Sequence, residues 1–201
     1  MKAVISGATR GIGNAIANKL AEEGYDLVLL ARNGKQLRLL KDELSKKNNS
    51  IEFLAIDLSS EDMTEVLKQN IGLFTETSVL INNLGVYSTL NAKKLTIKAL
   101  QAQLEVNLFS AIRLTQTILH SKNKDFSSII NIGSVMSLNA MPFASDYSIS
   151  KHAFKAWNDG LRTKLRPENI KVCAIYPGAV NTSSWDGIDA PREEMIQAKD
   201  I

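Results

Sequence analysis

Six short apolar runs, Ala3–Ser6, Leu27–Ala31, Ile51–Ile56, Val79–Asn82, Ser128–Ile132 and Val172–Tyr176, alternate along this chain with longer segments of helical spacing. Strands buried on both faces read as continuous apolar runs, and parallel neighbours need a long crossover connection. The rhythm therefore predicts βαβ units and a parallel sheet covered by helices on both faces. Ile12, Ile16 and Leu20, four apart, mark the first helix, with a stop at Gly24, and Ser59-Ser60-Glu61-Asp62 offers a capping signal for a later one. A long helix is expected from Thr96 to His120, where Leu100, Leu104, Leu108, Ala111 and Ile118 form an apolar stripe with Asn107 beside it. No repeat and no Gly/Ser/Pro-rich linker divides the chain, so residues 1–201 are expected to form one domain.

Composition narrows the classes of function. With 44% hydrophobic and 22% charged residues the chain is an ordinary globular one. Its formal charge of +3, without a basic run or aromatic-basic interleaving, argues against a nucleic-acid partner. The apolar opening ends by Ser6, too soon for a signal segment or membrane span. Cys173 is the sole cysteine and the two histidines are far apart, so neither an intrachain disulfide nor a metal-ligand cluster is expected. A reducing, cytoplasmic location follows as an expectation, with no metal, no nucleic acid and no membrane among the partners.

Between the first strand and first helix stands Ser6-Gly7-Ala8-Thr9-Arg10-Gly11-Ile12-Gly13, a Gly-x3-Gly-x-Gly loop. Glycines there let backbone N–H groups approach a pyrophosphate, and the helix N-terminus adds partial positive charge; in another setting the trio would be only a tight turn. After the second strand the chain reads Leu30-Ala31-Arg32-Asn33, where folds that prefer NAD place an acid against the ribose 2′-hydroxyl. No acid stands there. Arg32 and Arg10 could instead clamp a 2′-phosphate with their guanidinium forks, or each be a solvated surface arginine; together they point to NADP(H) in preference to NAD(H). Asp57 and Asn83 close the third and fourth strands. Asp57 can reach an adenine amino group or cap a helix, and Asn83 can steady the strand end beside the cofactor or merely shape a turn.

Tyr147-Ser148-Ile149-Ser150-Lys151 puts a phenol and an ammonium on one helix face. Random placement of 4 tyrosines and 17 lysines in 201 residues gives about 0.3 such pairs, so the pair alone carries little weight. Its setting gives it weight: the strand before it ends at Gly133-Ser134, 13 residues upstream, which lets Ser134 and Tyr147 converge on one oxygen. A nearby ammonium favours phenolate, so Lys151 should bring the Tyr147 pKa down toward neutrality while Ser134 polarises a carbonyl. Asn107 borders an apolar stripe and must be satisfied, by a structural bond to nearby backbone or by a water that links Lys151 to solvent. His152 is read as a surface or packing residue.

With these residues in place, the chain resembles the short-chain dehydrogenase/reductase (SDR) family from the Ser6 loop to the Pro177-Gly178 turn. The glycine loop, the Asn82-Asn83-Leu84-Gly85 strand end, Ser134, the Tyr147-x3-Lys151 pair and Pro177-Gly178 occur in family order. The resemblance implies a Rossmann-type, doubly wound α/β/α sandwich with strand order 3-2-1-4-5-6. It assigns Ser134, Tyr147 and Lys151 to catalysis and Asn107 to a proton relay. To the cofactor it assigns Gly7, Thr9, Arg10, Gly11, Ile12, Gly13, Arg32, Asp57, Leu58, Asn83, Gly85, Tyr147, Lys151, Pro177, Gly178, Val180 and Thr182. Leu84 departs from the alanine of many relatives. Members usually continue through another helix and a seventh strand, so the carboxyl-terminal end is expected to be truncated and the seventh strand absent. A homodimer or homotetramer is expected.

The expectation that results is an NADP(H)-dependent oxidoreductase acting on a small carbonyl or alcohol substrate, with Tyr147 as general acid/base. The alternative is an NADP(H)-binding module without turnover that acts through protein contacts. Trp185 and Met195, in the segment after Gly178, suit an aliphatic or aromatic substrate or simply pack that segment.

Overall fold

The computed structural model describes residues 1–47, 50–122, 124–188 and 190–201. Six strands, β1 (Lys2–Ser6), β2 (Asp26–Ala31), β3 (Ile51–Ala55), β4 (Thr77–Asn82), β5 (Ser128–Ile132) and β6 (Lys171–Ile175), form one sheet in the order β3-β2-β1-β4-β5-β6. Every pairing is parallel, with Ile5 in central β1 set between Leu29 and Ile81. This is the parallel sheet expected from the rhythm of the sequence, in the Rossmann-type order that the family resemblance implies.

Alternation along the strands builds two separate apolar layers, because successive side chains of a strand point to opposite faces. Ala3, Ile5, Leu27 and Leu29 face one layer, covered by α1 (Gly11–Glu22) and α2 (Gly34–Leu44). Val4, Val28, Leu30 and Leu80 face the other, with Met63 and Leu67 of α3 (Met63–Gln69) and, after the next helical segment, Leu114 and Ile118. In α1 the fully buried positions are Gly13, Ala17 and Ala21, while Ile12, Ile16 and Leu20 are partly buried on the flank of the same layer. Small residues at the contact let this helix lie close to the sheet. The stop is as read: Gly24 has φ +81°.

Two local expectations are corrected. The Ser59–Asp62 segment gives no side-chain cap, since Asp62 precedes α3 without a capping bond and Asp57 instead accepts from Ser59 N (2.9 Å) and Ser59 Oγ (2.6 Å). The helix expected over Thr96–His120 starts as read, with Thr96 Oγ1 accepting from Ala99 N at 3.1 Å. It is not one α-helix, however: α4 (Ile97–Leu104) passes through a π-helical turn, Glu105–Phe109, into α5 (Ser110–Ser121). The wider turn carries Asn107 fully inward.

The last helix, α6 (Ser145–Leu165), packs Phe154 against Leu108 and Ala111. Beyond β6, β7 (Val180–Asn181) and β8 (Ile196–Gln197) pair as a separate two-stranded sheet, so among the described residues no seventh strand joins the main one. Among those residues no helix is long and apolar enough to cross a membrane.

Candidate active site

All six main strands end toward one cleft of ≈ 580 Å³, the place where an open parallel sheet binds ligands. Of the residues assigned to catalysis or cofactor from the sequence, Gly13 and Asn107 alone do not line it. The glycine loop is shaped by Gly7, whose φ of +68° an L side chain rarely adopts. A Cβ on Gly13 would lie 2.3 Å from Gly7 O and 2.4 Å from Asn83 Nδ2, so this glycine lets α1 approach the loop.

The loop is joined to β4. Ser6 Oγ accepts from Asn83 N (3.0 Å) and Leu84 N (3.1 Å), and Asn83 Nδ2 donates to Ser6 O (2.9 Å) and Gly7 O (3.2 Å). At the far end Arg10 and Arg32 are exposed on the rim. Asn33 caps α2 through Lys35 N and Gln36 N. Hydrogen bonds from Ser59, then the charge of Arg32, hold the Asp57 carboxyl below the usual range. Asp57 is thus occupied in a local turn. Beside Gly11, the Thr182 methyl closes the wall.

At the other end Ser134 leaves β5 in extended conformation and opens a short turn. Its Oγ accepts from Met136 N at 3.1 Å, and the hydroxyl is close enough to Tyr147 to favour the phenolate. Lys151 is buried, and its Nζ donates to Ile132 O at 3.1 Å and lies 5.7 Å from the Tyr147 ring centroid. Burial brings Lys151 down from 10.5 to about 8. Burial also raises Tyr147, opposed by the Ser134 hydrogen bond and assisted by neighbouring Tyr87. The expected lowering of the phenol by the ammonium is not found. Lys151 is itself dehydrated and directed to a carbonyl, so burial and Ser134 set the balance at the phenol.

Asn107 makes the structural bonds of the first reading. Its Oδ1 accepts from Val86 N (2.8 Å), and its Nδ2 donates to Val86 O (3.0 Å) and Ser150 Oγ (3.0 Å). One Oδ1 lone pair is left. The absent Cβ of Gly85 leaves a space 3.5 Å from both Asn107 Oδ1 and Lys151 Nζ. His152 is exposed, its ring bonded to Ser148 O.

Residues 1–193 match the family described as short chain dehydrogenase. The chain belongs to this family. It is 34% identical over 186 residues to a probable short-chain type dehydrogenase/reductase of Helicobacter pylori, covering 92% of this chain and 66% of that protein. It thus spans just under two thirds of that relative. A short-chain dehydrogenase from Sphingobium yanoikuyae in complex with NADPH is similar in structure, with TM-score 0.90, 27% identity and coverage of 99% of this chain and 80% of that one. A 3-oxoacyl-[acyl-carrier protein] reductase from Brucella melitensis in complex with NAD has TM-score 0.89, 26% identity and coverage of 99% and 85%.

Three parts of this short-chain dehydrogenase site escaped the sequence reading. Tyr87 meets Tyr147 edge-on (centroids 5.1 Å, 89°) and lies against Trp185 (5.1 Å, 43°). Asp146, buried beside Tyr147 in sequence, accepts from Ser88 Oγ at 2.6 Å. Gly133 is required because a Cβ there would come 2.7 Å from the Tyr176 ring. Position was the only available signal: Tyr87 lies two residues past the strand-end turn, Asp146 directly before the phenol, and Gly133 directly before the serine.

Proposed function

We propose that this protein transfers a hydride between NADP(H) and a carbonyl/alcohol pair, with Tyr147 as general acid/base. The observation that carries the reading is the convergence of Ser134 and Tyr147, backed by buried Lys151, in the cleft that the glycine loop opens. The cleft suits a dinucleotide: the bare glycine backbone and the start of α1 lie along it, and Arg10 and Arg32 stand at the end away from Tyr147.

When bound, the nicotinamide supplies or accepts the hydride. The chain's own residues handle the oxygen and its proton. Ser134, held in place as it accepts from Met136 N, directs its O–H to the substrate oxygen and polarises it. Tyr147, kept protonated by burial, delivers a proton to that oxygen in reduction and removes it in oxidation. Lys151, near 8, exchanges protons close to the working range and resupplies the phenol. Lys151 Nζ and the remaining Asn107 lone pair both lie on the open side of Gly85, and a water linking them there makes Asn107 a positioning member of the relay.

The preference for NADP(H) rests on Arg10 and Arg32, because related structures hold either NADPH or NAD. The test is NADPH oxidation across a panel of aldehydes and ketones by the wild type and by Tyr147→Phe, with cofactor binding followed by fluorescence. Turnover that Tyr147→Phe abolishes while binding persists is expected. NADPH binding without turnover on a broad panel would support the alternative, a binding module acting through protein contacts.

A further inference from the structure

The cleft wall next to the phenol is built from aromatic rings that the hydride-transfer reading does not use. Tyr87 touches the Tyr147 ring edge-on and Trp185 on its other side, both at 5.1 Å between centroids. All three rings line the cleft, together with Val135 and Met136.

This wall is held in place from several sides. Ser88 Oγ donates to buried Asp146 at 2.6 Å, and Ser145 N donates to Leu90 O at 2.7 Å, so the segment carrying Tyr87 is tied to the start of α6. The indole is fixed separately, its Nε1 donating to Val180 O at 3.1 Å. Fixed rings lose little conformational freedom when a flat partner binds.

The charge around it is one-sided. Among the described residues that line the cleft, the cations are Arg10, Arg32 and Lys151. The arginines are exposed, and Lys151 is buried and directed to the Ile132 carbonyl. Asp146 is close enough to Tyr87 to raise its pKa, adding to the effect of burial, and its Oδ1 is buried without a partner. A carboxylate or phosphate placed here would lose hydration and meet an ammonium, Lys151, already engaged with the Ile132 carbonyl.

We infer that Tyr87 and Trp185 are specificity-determining residues that select an uncharged carbonyl compound bearing an aromatic ring, or the corresponding alcohol. The inference rests on the proposed hydride-transfer reading for the reaction. Its own basis is the fixed rings, whose faces and edges favour offset or edge-to-face partners, and the engagement of the neighbouring Lys151 ammonium with the Ile132 carbonyl.

Three aldehydes of similar size separate the features: benzaldehyde, cyclohexanecarbaldehyde, which lacks the ring electrons, and para-carboxybenzaldehyde, which adds a negative charge. Benzaldehyde is expected to exceed both others in kcat/KM by about tenfold, the equivalent of ~1.4 kcal/mol. Trp185→Ala and Tyr87→Ala should each lower the benzaldehyde to cyclohexanecarbaldehyde ratio by about tenfold, mainly through KM, while Trp185→Phe and Tyr87→Phe keep it. Thermal melting checks that the variants are folded. Equal kcat/KM for the three aldehydes, or a ratio unmoved by both alanine variants, overturns the inference. If the wild type turns over no aldehyde, the hydride-transfer reading fails and the wall is tested by binding. Saturation-transfer NMR with NADP⁺ should then show benzyl alcohol bound, benzoate unbound, and the benzyl alcohol signal lost in Trp185→Ala. Absence of that pattern overturns the wall as well.

Discussion

Alanine at position 13 would put a methyl carbon 2.3 Å from the Gly7 carbonyl oxygen and 2.4 Å from Asn83 Nδ2. The first neighbour is backbone, and the second is a side chain already bonded to Ser6 O and Gly7 O, so neither yields without moving the glycine loop. Overpacking of this kind costs about 1–3 kcal/mol. At about 2–4 °C per kcal/mol for a chain of this size, Gly13→Ala should melt about 2–12 °C below wild type. Gly160→Ala is the matched control. Gly160 lies inside α6 with nothing within 4 Å of the position its Cβ would take. There alanine gains about 0.8–1 kcal/mol of helix propensity, a rise of about 2–4 °C. Circular dichroism melts of the three proteins, with NADPH titrations followed by fluorescence, test the pair. Gly13→Ala should also weaken NADPH, since the displaced segment is the proposed phosphate loop. Gly13→Ala melting at or above wild type, with Gly160→Ala melting higher as expected, would refute the close approach of α1 to the loop.

Lys151→Met should be the more stable protein below pH 8, by roughly 1–3 kcal/mol, because it removes a dehydrated ammonium. The folded pKa of Lys151, about 8, is below the unfolded 10.5, so within that window the unfolded chain holds the extra proton and wild-type stability rises with pH. Denaturant midpoints should therefore show the variant's advantage shrinking from pH 8 to 10.5; an advantage that grows contradicts the burial assigned to this lysine. Gly85→Ala should fold normally, its Cβ meeting neighbours at an ordinary 3.5 Å, yet fill the relay space. A lowered kcat with little change in NADPH affinity is expected, and an unchanged kcat removes the relay from that space. Arg32→Ala should weaken NADPH relative to NADH by about ten- to hundredfold, the value of a charge-assisted contact to the 2′-phosphate. An unchanged ratio of dissociation constants would return Arg32 to the solvated surface.

The sheet was legible because its central strands are covered on both faces, so Val4, Val28 and Leu30 are as apolar as Ile5, Leu27 and Leu29 in the opposite layer. The glycine loop, Ser134 and the Tyr147–Lys151 pair were legible because turns and helix spacing are local. The π-turn at Asn107 was hidden, since it satisfies an amide through Val86 and Ser150, partners 21 and 43 residues away. The same distance effect concealed the Ser88–Asp146 bond, which spans 58 residues. The direction of the Tyr147 shift was misread because spacing shows that an ammonium is near but not how dehydrated either group is. Asp57 and the Ser59–Asp62 segment show a related difficulty, as a short run of capping-type residues can bond to one another instead of to the next helix.

Ser6 carries a consequence for how such a protein can change over generations. Its hydroxyl receives two backbone N–H groups at once, and Asn83 returns two bonds, to the carbonyls of Ser6 and Gly7. Losing either side chain strands several polar groups together, so a mutation there needs a simultaneous second one to be tolerated. Arg10, Arg32, Tyr87 and Trp185 stand apart from that knot at the edges of the cleft. New ligand preferences can accumulate there one substitution at a time, above a floor that stays the same.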